Sequence, residues 1–154
     1  MLKLREFVFI FILFGLDQVT KRLATYFLEF YNPIHLIQSV FSLELVFNYG
    51  AAYGIFQHQR VFLLIVAVTF IVGILLFASY FIQSNYSKIA VIFLLAGAFG
   101  NMIDRLLLGY VIDFIDIKIF PVFNFADIFI NIAIGLFLYE AFIYDRKNKK
   151  SSSQ

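Results

Sequence analysis

The chain of 154 residues has no cysteine, no tryptophan and only two prolines, and charged residues make up just 14% of it. The lack of cysteine excludes a disulfide-stapled secreted domain and a thiol nucleophile. Twelve Lys and Arg against ten Asp and Glu leave a net charge of +2, without the excess that would indicate a nucleic-acid partner. Soluble domains carry about 25% charged residues, so the low charge also argues against an ordinary globular enzyme.

Apolar residues dominate the chain instead, making up 62% of it and giving a mean hydropathy of +0.90. A helix needs about 20 mainly apolar residues to cross the hydrocarbon core of a bilayer. Four segments meet this requirement: 7–28, 61–82, 89–109 and 126–144. We therefore predict an all-α polytopic membrane protein with four transmembrane helices and a small extracytoplasmic β element. Residues 1–146 would form one domain, and the polar residues 147–154 a disordered cytoplasmic tail.

The distribution of Lys and Arg predicts the orientation of these helices. Seven of them lie in the N-terminal segment, the turn between the second and third helices and the C-terminal tail, whereas three lie on the other side. Cytoplasmic loops are enriched in these residues. Both termini should therefore be cytoplasmic, with segments 29–60 and 110–125 facing outward.

The outward segments contain candidate strands. Apolar residues alternate through 41–48 (FSLELVFN), which predicts a strand with one apolar face that ends at an Asn-Tyr-Gly turn. That face could contact lipid or an acyl chain, or belong to a small sheet that caps the helices. If 111–120 is also extended, Asp116 and Lys118 share a face and form a solvated pair. Asp113 then falls on the apolar face, where a carboxylate needs a partner or a function.

Several polar residues lie inside or at the ends of the predicted helices, where ionisable groups are costly and mark functional sites. Asp17 and Lys21 are spaced as a helical ion pair. Asn101, Asp104 and Arg105 make a polar end to the third helix, after small residues that allow close helix approach. Asn124 suits the N-cap of the fourth helix, and Asp127 its third position.

The inventory of reactive groups leaves carboxylates near the outer surface as the candidate chemistry. The sequence has no metal-binding motif, no glycine-rich phosphate loop and no nucleophile elbow, so we expect no metal and no cofactor. Two neighbouring acids can share one proton, with one ionised and the other neutral. From the residues alone, this chemistry supports either acid–base hydrolysis or proton-coupled transport.

Four segments of the chain resemble, in order, the motifs of the bacterial lipoprotein signal peptidases (signal peptidase II). They are 17–21 (DQVTK), 48–54 (NYGAAYG), 97–114 (GAFGNMIDR running on to GYVIDF) and 123–127 (FNFAD). The resemblance covers residues 5 to 140. The third and fourth segments together are highly specific. One departure is that Ala96 stands where the family usually has glycine.

The resemblance implies an aspartic endopeptidase of the bacterial inner membrane that removes the signal peptide from prolipoproteins before the diacylglyceryl-modified cysteine. It places the catalytic pair at Asp113 and Asp127. Supporting positions would be Asp17, Lys21, Asn48, Gly54, Asn101, Asp104, Arg105 and Asn124. Of these, we expect Asp104 and Arg105 to pair with each other or to tie down an outward segment.

The expected partners are lipid-modified precursors and membrane lipid, with no nucleic acid, and the protein is expected to be a monomer. The alternatives are a proton-coupled small carrier, which would use the same carboxylates as a relay, and a non-catalytic membrane assembly factor.

Overall fold

The computed structural model describes residues 2–51 and 54–151, and within them the chain is mostly helical with one small sheet. The elements in chain order are α1 (Leu4–Phe27), β1 (Ile34–Ile37), β2 (Phe41–Asn48), α2 (Arg60–Leu76), α3 (Ala78–Phe81), α4 (Asn85–Leu107), β3 (Val111–Asp116) and α5 (Phe125–Ser151). The predicted strand over 41–48 is confirmed.

Two helices among the described residues are long and apolar enough to cross a membrane, namely α4 and the part of α5 over Phe125–Phe142. Helix α2 is also apolar but has 17 residues. The prediction of one continuous helix over 61–82 is wrong. The carbonyl of Phe77 accepts from the amides of Tyr80 and Phe81, so a separate helical turn, α3, begins there.

The core is built around α4, whose middle is fully buried at Ala90, Val91, Leu95 and Ala96. Small residues allow α5 to approach closely, as the sequence predicts. A Cβ added at Gly97 would lie 2.4 Å from the carbonyl oxygen of Ala126. The start of α5 is therefore held directly against α4.

The three strands form an antiparallel sheet in the order β1-β2-β3. Strand β2 pairs with β3 through Ser42 opposite Asp116 and Val46 opposite Asp113, with a register shift between Leu43 and Val46. Leu45 is buried in a cluster with Ala24, Leu28, Ile112 and Phe114. The sheet thus packs on the end of α1, which agrees with the capping arrangement, one of the two alternatives expected for this strand.

One detail of the predicted strands is wrong, namely the solvated state of the Asp116–Lys118 pair. The Asp116–Lys118 ion pair forms, but Asp116 is only 5% exposed and its carboxylate accepts from Ser42 Oγ over 3.0 Å. The cause is the shifted register, which brings Ser42 opposite Asp116 inside the sheet.

Helix α5 continues to Ser151. It therefore passes through residues 147–151 of the segment that was expected to be a disordered tail. This stretch contains no glycine or proline to end the helix. The remainder of the expected tail, 152–154, lies outside the described residues.

Candidate active site

A cavity of about 990 Å³ opens where the sheet meets the end of α4 and the start of α5. Most of its lining is apolar, with Val46, Phe47, Val111, Ile117, Phe120, Pro121, Val122, Phe123, Ile128 and Ile132 contributing. Asp113, Asp127, Asn48 and Asn101 also line it. The cavity therefore combines two carboxyl groups with an apolar surface.

Asp113 comes from the middle of β3 and is only 2% exposed. Its Oδ2 accepts from Asn48 Nδ2 over 3.0 Å, and its Oδ1 accepts from Asn124 Nδ2 over 2.6 Å. Burial, together with the negative charge of Asp127, raises the pKa of Asp113 to about 7, although the two amide donors oppose this shift. Near neutral pH this carboxyl group therefore holds a proton for a large part of the time.

Asp127 is held by the local structure that starts α5. Its amide donates to Asn124 Oδ1 over 3.0 Å, and its Oδ2 accepts from the amide of Asn124 over 3.2 Å. This reciprocal pattern is a capping box, with Asn124 as the predicted N-cap and Asp127 at the third helical position. Asn101 Nδ2 from α4 donates to Asp127 Oδ1 over 2.8 Å. Two helices thus orient this carboxyl group.

A buried ion network lies behind these groups. Lys21 Nζ is 2.9 Å from Asp17 Oδ2 and 2.9 Å from Asp104 Oδ2, and it donates to Asn101 Oδ1 over 3.1 Å. Asp17 Oδ1 in turn accepts from the amide of Ala126 over 2.9 Å. The predicted Asp17–Lys21 pair is confirmed. Because Lys21 fixes the oxygen of Asn101, it also fixes which end of that amide faces Asp127.

The expected ion pair between Asp104 and Arg105 does not form among the described side chains. The two residues lie on different sides of α4, where Asp104 meets Lys21 and accepts from the amide of Ile112 over 3.2 Å. Arg105 Nη2 instead donates to the carbonyl of Gly50 over 2.9 Å. Both residues therefore tie down outward segments, which was the other role expected of them.

Gly54 also lines the cavity and has a positive φ of 72°, a conformation that favours glycine. It follows residues 52–53, which are outside the described part of the chain. All ten residues that the sequence singled out belong to the cavity wall or to the polar network behind it.

Sequence reasoning missed several polar residues of this region. Gln18 Nε2 donates to Asp104 Oδ1 over 3.0 Å, and Asn131 Nδ2 donates to the carbonyl of Asp127 over 2.9 Å. Gln57 and Asn131 line the cavity. The sequence could have identified Asn131, because it lies four residues after Asp127 and therefore on the same face of the helix.

Comparison with protein families matches residues 9–143 to the model of signal peptidase (SPase) II. The chain belongs to the signal peptidase II family. This membership makes the chain a membrane-bound peptidase, and it favours a peptidase over the proton-coupled carrier and the assembly factor.

Curated proteins similar to this signal peptidase II member are lipoprotein signal peptidases. One from Brevibacillus brevis is 37% identical over 141 residues, covering 90% of this chain and 95% of the relative. Another from Shouchella clausii is 42% identical over 147 residues, covering 92% and 95%.

Solved structures indicate that the chain has the fold of a bacterial membrane enzyme. Two structures described as bacterial membrane enzymes match with TM-scores of 0.82 and 0.77 at 31% and 30% identity. The first match covers 94% of this chain and 91% of the other, and the second covers 89% and 92%.

Proposed function

We propose that Asp113 and Asp127 are the catalytic dyad of an aspartic endopeptidase that cleaves lipid-modified prolipoproteins before the diacylglyceryl cysteine. The observation that carries this proposal is the placement of the two carboxyl groups. Both line one cavity, and both are bound by Asn124, which contacts Asp113 through its side chain and Asp127 through its main chain.

We assign the proton of the dyad to Asp113. Ionisation of two neighbouring carboxyl groups is unfavourable because their negative charges repel. Burial makes ionisation of Asp113 especially unfavourable. Asp127 is the base, since it sits at the positive end of α5 and its oxygens accept from Asn101 and Asn124. Asp127 takes a proton from water, which attacks the peptide carbonyl, while Asp113 donates a hydrogen bond to the developing oxyanion. The proton gained by the dyad then passes to the leaving amine.

The amides around the dyad act as positioning groups in this proposal. Asn48 and Asn124 hold Asp113, while Asn101 holds Asp127 and is itself held by Lys21. Asp17 and Asp104 neutralise Lys21 inside the helix bundle. Gly54 and Arg105 form the part of the wall that the substrate would contact beside the dyad.

The apolar lining suits a substrate with a hydrophobic signal segment and acyl chains. Each buried methylene contributes about 0.8 kcal/mol, so burial of part of one acyl chain exceeds the contribution of a few peptide hydrogen bonds. The predicted lipid-facing surface was the alternating face of β2, but Leu45 of that face is buried against α1. We therefore assign lipid contact to Val46, on the opposite face of β2, and to Phe47 near the end of the strand, because both line the cavity.

In the membrane, we propose four crossings of the bacterial inner membrane with both termini in the cytoplasm. The ends of α1 and α4, the start of α5 and the sheet all meet on one side, and the positively charged segments lie on the other. This arrangement exposes the dyad at the outer face, where water and exported precursors are present. The enzyme would act there as a monomer.

The test is cleavage of one synthetic precursor by the purified protein, with and without its diacylglyceryl group, in the same detergent. We expect cleavage on the amino side of the modified cysteine and a much lower kcat/KM for the unlipidated form. No cleavage of the lipidated precursor would overturn the proposed activity. Equal kcat/KM values for the two forms would overturn lipid recognition alone.

A further inference from the structure

Arg60 binds the carboxyl-terminal end of α4. Its Nε donates to the carbonyl of Arg105 over 2.8 Å, and its Nη2 donates to the carbonyl of Leu106 over 2.6 Å. The last carbonyls of a helix have no partner inside the helix, and a cation is favourable at this end. Because Arg60 is the first residue of α2, its guanidinium joins the start of α2 to the end of α4.

Arg105 is the point where two such attachments meet. Its side chain donates to the carbonyl of Gly50, while its own carbonyl accepts from Arg60. Both ends of segment 50–60, of which the structure describes 50–51 and 54–60, are therefore attached to a single residue of α4. Gly54 and Gln57 of this segment line the cavity next to Arg105.

Two residues shortly before α2 need support for their backbone conformation. Phe56 and His58 have φ values of 58° and 62°. Left-handed conformations are unfavourable for residues with a Cβ and persist where surrounding contacts enforce them. Hydrogen bonds from Ala51 to Ile55 and from His58 to Tyr49 hold the segment's own shape. Among the described residues, the hydrogen bonds of Arg60 and Arg105 are those that attach it to α4.

We propose that Arg60 is a positioning residue of this peptidase, which holds the cavity wall formed by Arg105 and residues 54–57 in place for the substrate. The inference rests on the proposed function, since it takes the cavity as the substrate site. The dyad is held by Asn48, Asn101 and Asn124 instead, so Arg60 acts on substrate binding and not on proton transfer.

The test compares Arg60→Met with Arg22→Met in the purified full-length protein. Methionine keeps an apolar stem and removes the donors, and Arg22 is an exposed arginine with no hydrogen bond from its side chain among the described residues. We expect Arg60→Met to raise KM for the lipidated precursor roughly tenfold, as for loss of a charged hydrogen bond. Its kcat should stay within about twofold of the wild-type value, since the transition-state contacts remain. Arg60→Lys should recover part of the loss, and Arg22→Met should change neither constant.

A second measurement reports on the attachment without relying on activity. Hydrogen–deuterium exchange at the amides of Ala51 and His58 should be faster in Arg60→Met than in wild type, and unchanged in Arg22→Met. Unchanged exchange or an unchanged KM in Arg60→Met would overturn the role of Arg60. Absence of cleavage by the wild-type protein would instead overturn the proposed function, so the two failures are distinguishable.

Discussion

The side-chain amide of Asn124 donates a 2.6 Å hydrogen bond to Oδ1 of Asp113. Asn124 is also the N-cap of α5, where it exchanges hydrogen bonds with Asp127. One residue therefore both starts a helix and sets the relation between two carboxyl groups from different elements. Displacement of Asn124 would move both carboxyl groups at once. Asparagine suits the position because its side chain provides both donors and an acceptor.

The dyad assignment predicts that Asp113→Asn and Asp127→Asn each reduce cleavage of a lipidated precursor by a factor of about 10²–10⁴. Asparagine keeps the shape and polarity of aspartate but can neither release nor accept the proton. Asp116→Asn is the matched control in the same sheet, because its carboxylate binds Ser42 and Lys118. Substantial turnover by either dyad variant would remove that residue from the mechanism.

The raised pKa of Asp113 predicts an alkaline limit to activity. The proposed mechanism needs the protonated form, which is depleted as pH rises through the pKa of about 7. We expect kcat/KM to fall above that pH, by close to tenfold per unit. A profile without a decline up to about pH 9 would contradict the assignment of the proton to Asp113.

Substitution of Asn48 tests in which direction the pKa of Asp113 shifts. Its hydrogen bond lowers the pKa of Asp113 by favouring the ionised form. Asn48→Ala removes this donor, so the pKa should rise and the alkaline limb of the residual activity should move to higher pH. A limb displaced to lower pH would show that the titrating group is not Asp113.

The contact between α4 and α5 predicts a large stability difference between two glycine substitutions. In Gly97→Ala, the new Cβ would meet the backbone oxygen of Ala126 at 2.4 Å, which a backbone shift must relieve. We expect destabilisation of about 1–3 kcal/mol. Gly135→Ala in α5 has open space around it and should stabilise by about 0.5–1 kcal/mol, as glycine-to-alanine changes in helices do. Thermal unfolding of both variants in one detergent measures the difference.

The proposed orientation predicts on which side of the membrane each loop lies. Reporter fusions after residues 45 and 118 should be extracytoplasmic, and fusions after residues 85 and 150 should be cytoplasmic. A cytoplasmic signal at residue 118 would place the dyad on the wrong side for exported precursors.

Local patterns in the sequence predicted the parts of the structure that depend on neighbours in the chain. Strand β2 followed from alternating apolar residues, and the start of α5 followed from the spacing of Asn124 and Asp127. The Asp17–Lys21 pair followed from one helical turn. These features need only the period of a strand or helix, which a short stretch of residues specifies.

Tertiary structure decided which distant groups meet, because a one-residue change of register or a rotation of a helix exchanges their partners. The shifted pairing of β2 and β3 buries Asp116 against Ser42. The orientation of α4 places Asp104 beside Lys21, whereas Arg105 donates to the carbonyl of Gly50. The sequence placed Arg60 only among the outward positive charges, whereas its contact with the end of α4 required Arg60 and Arg105, which are 45 residues apart in sequence, to come together. The sequence by itself thus determined most of the helices, the central strand and the acids proposed to carry the chemistry, and the packing of α4 against α5 and the sheet decided how those acids are held.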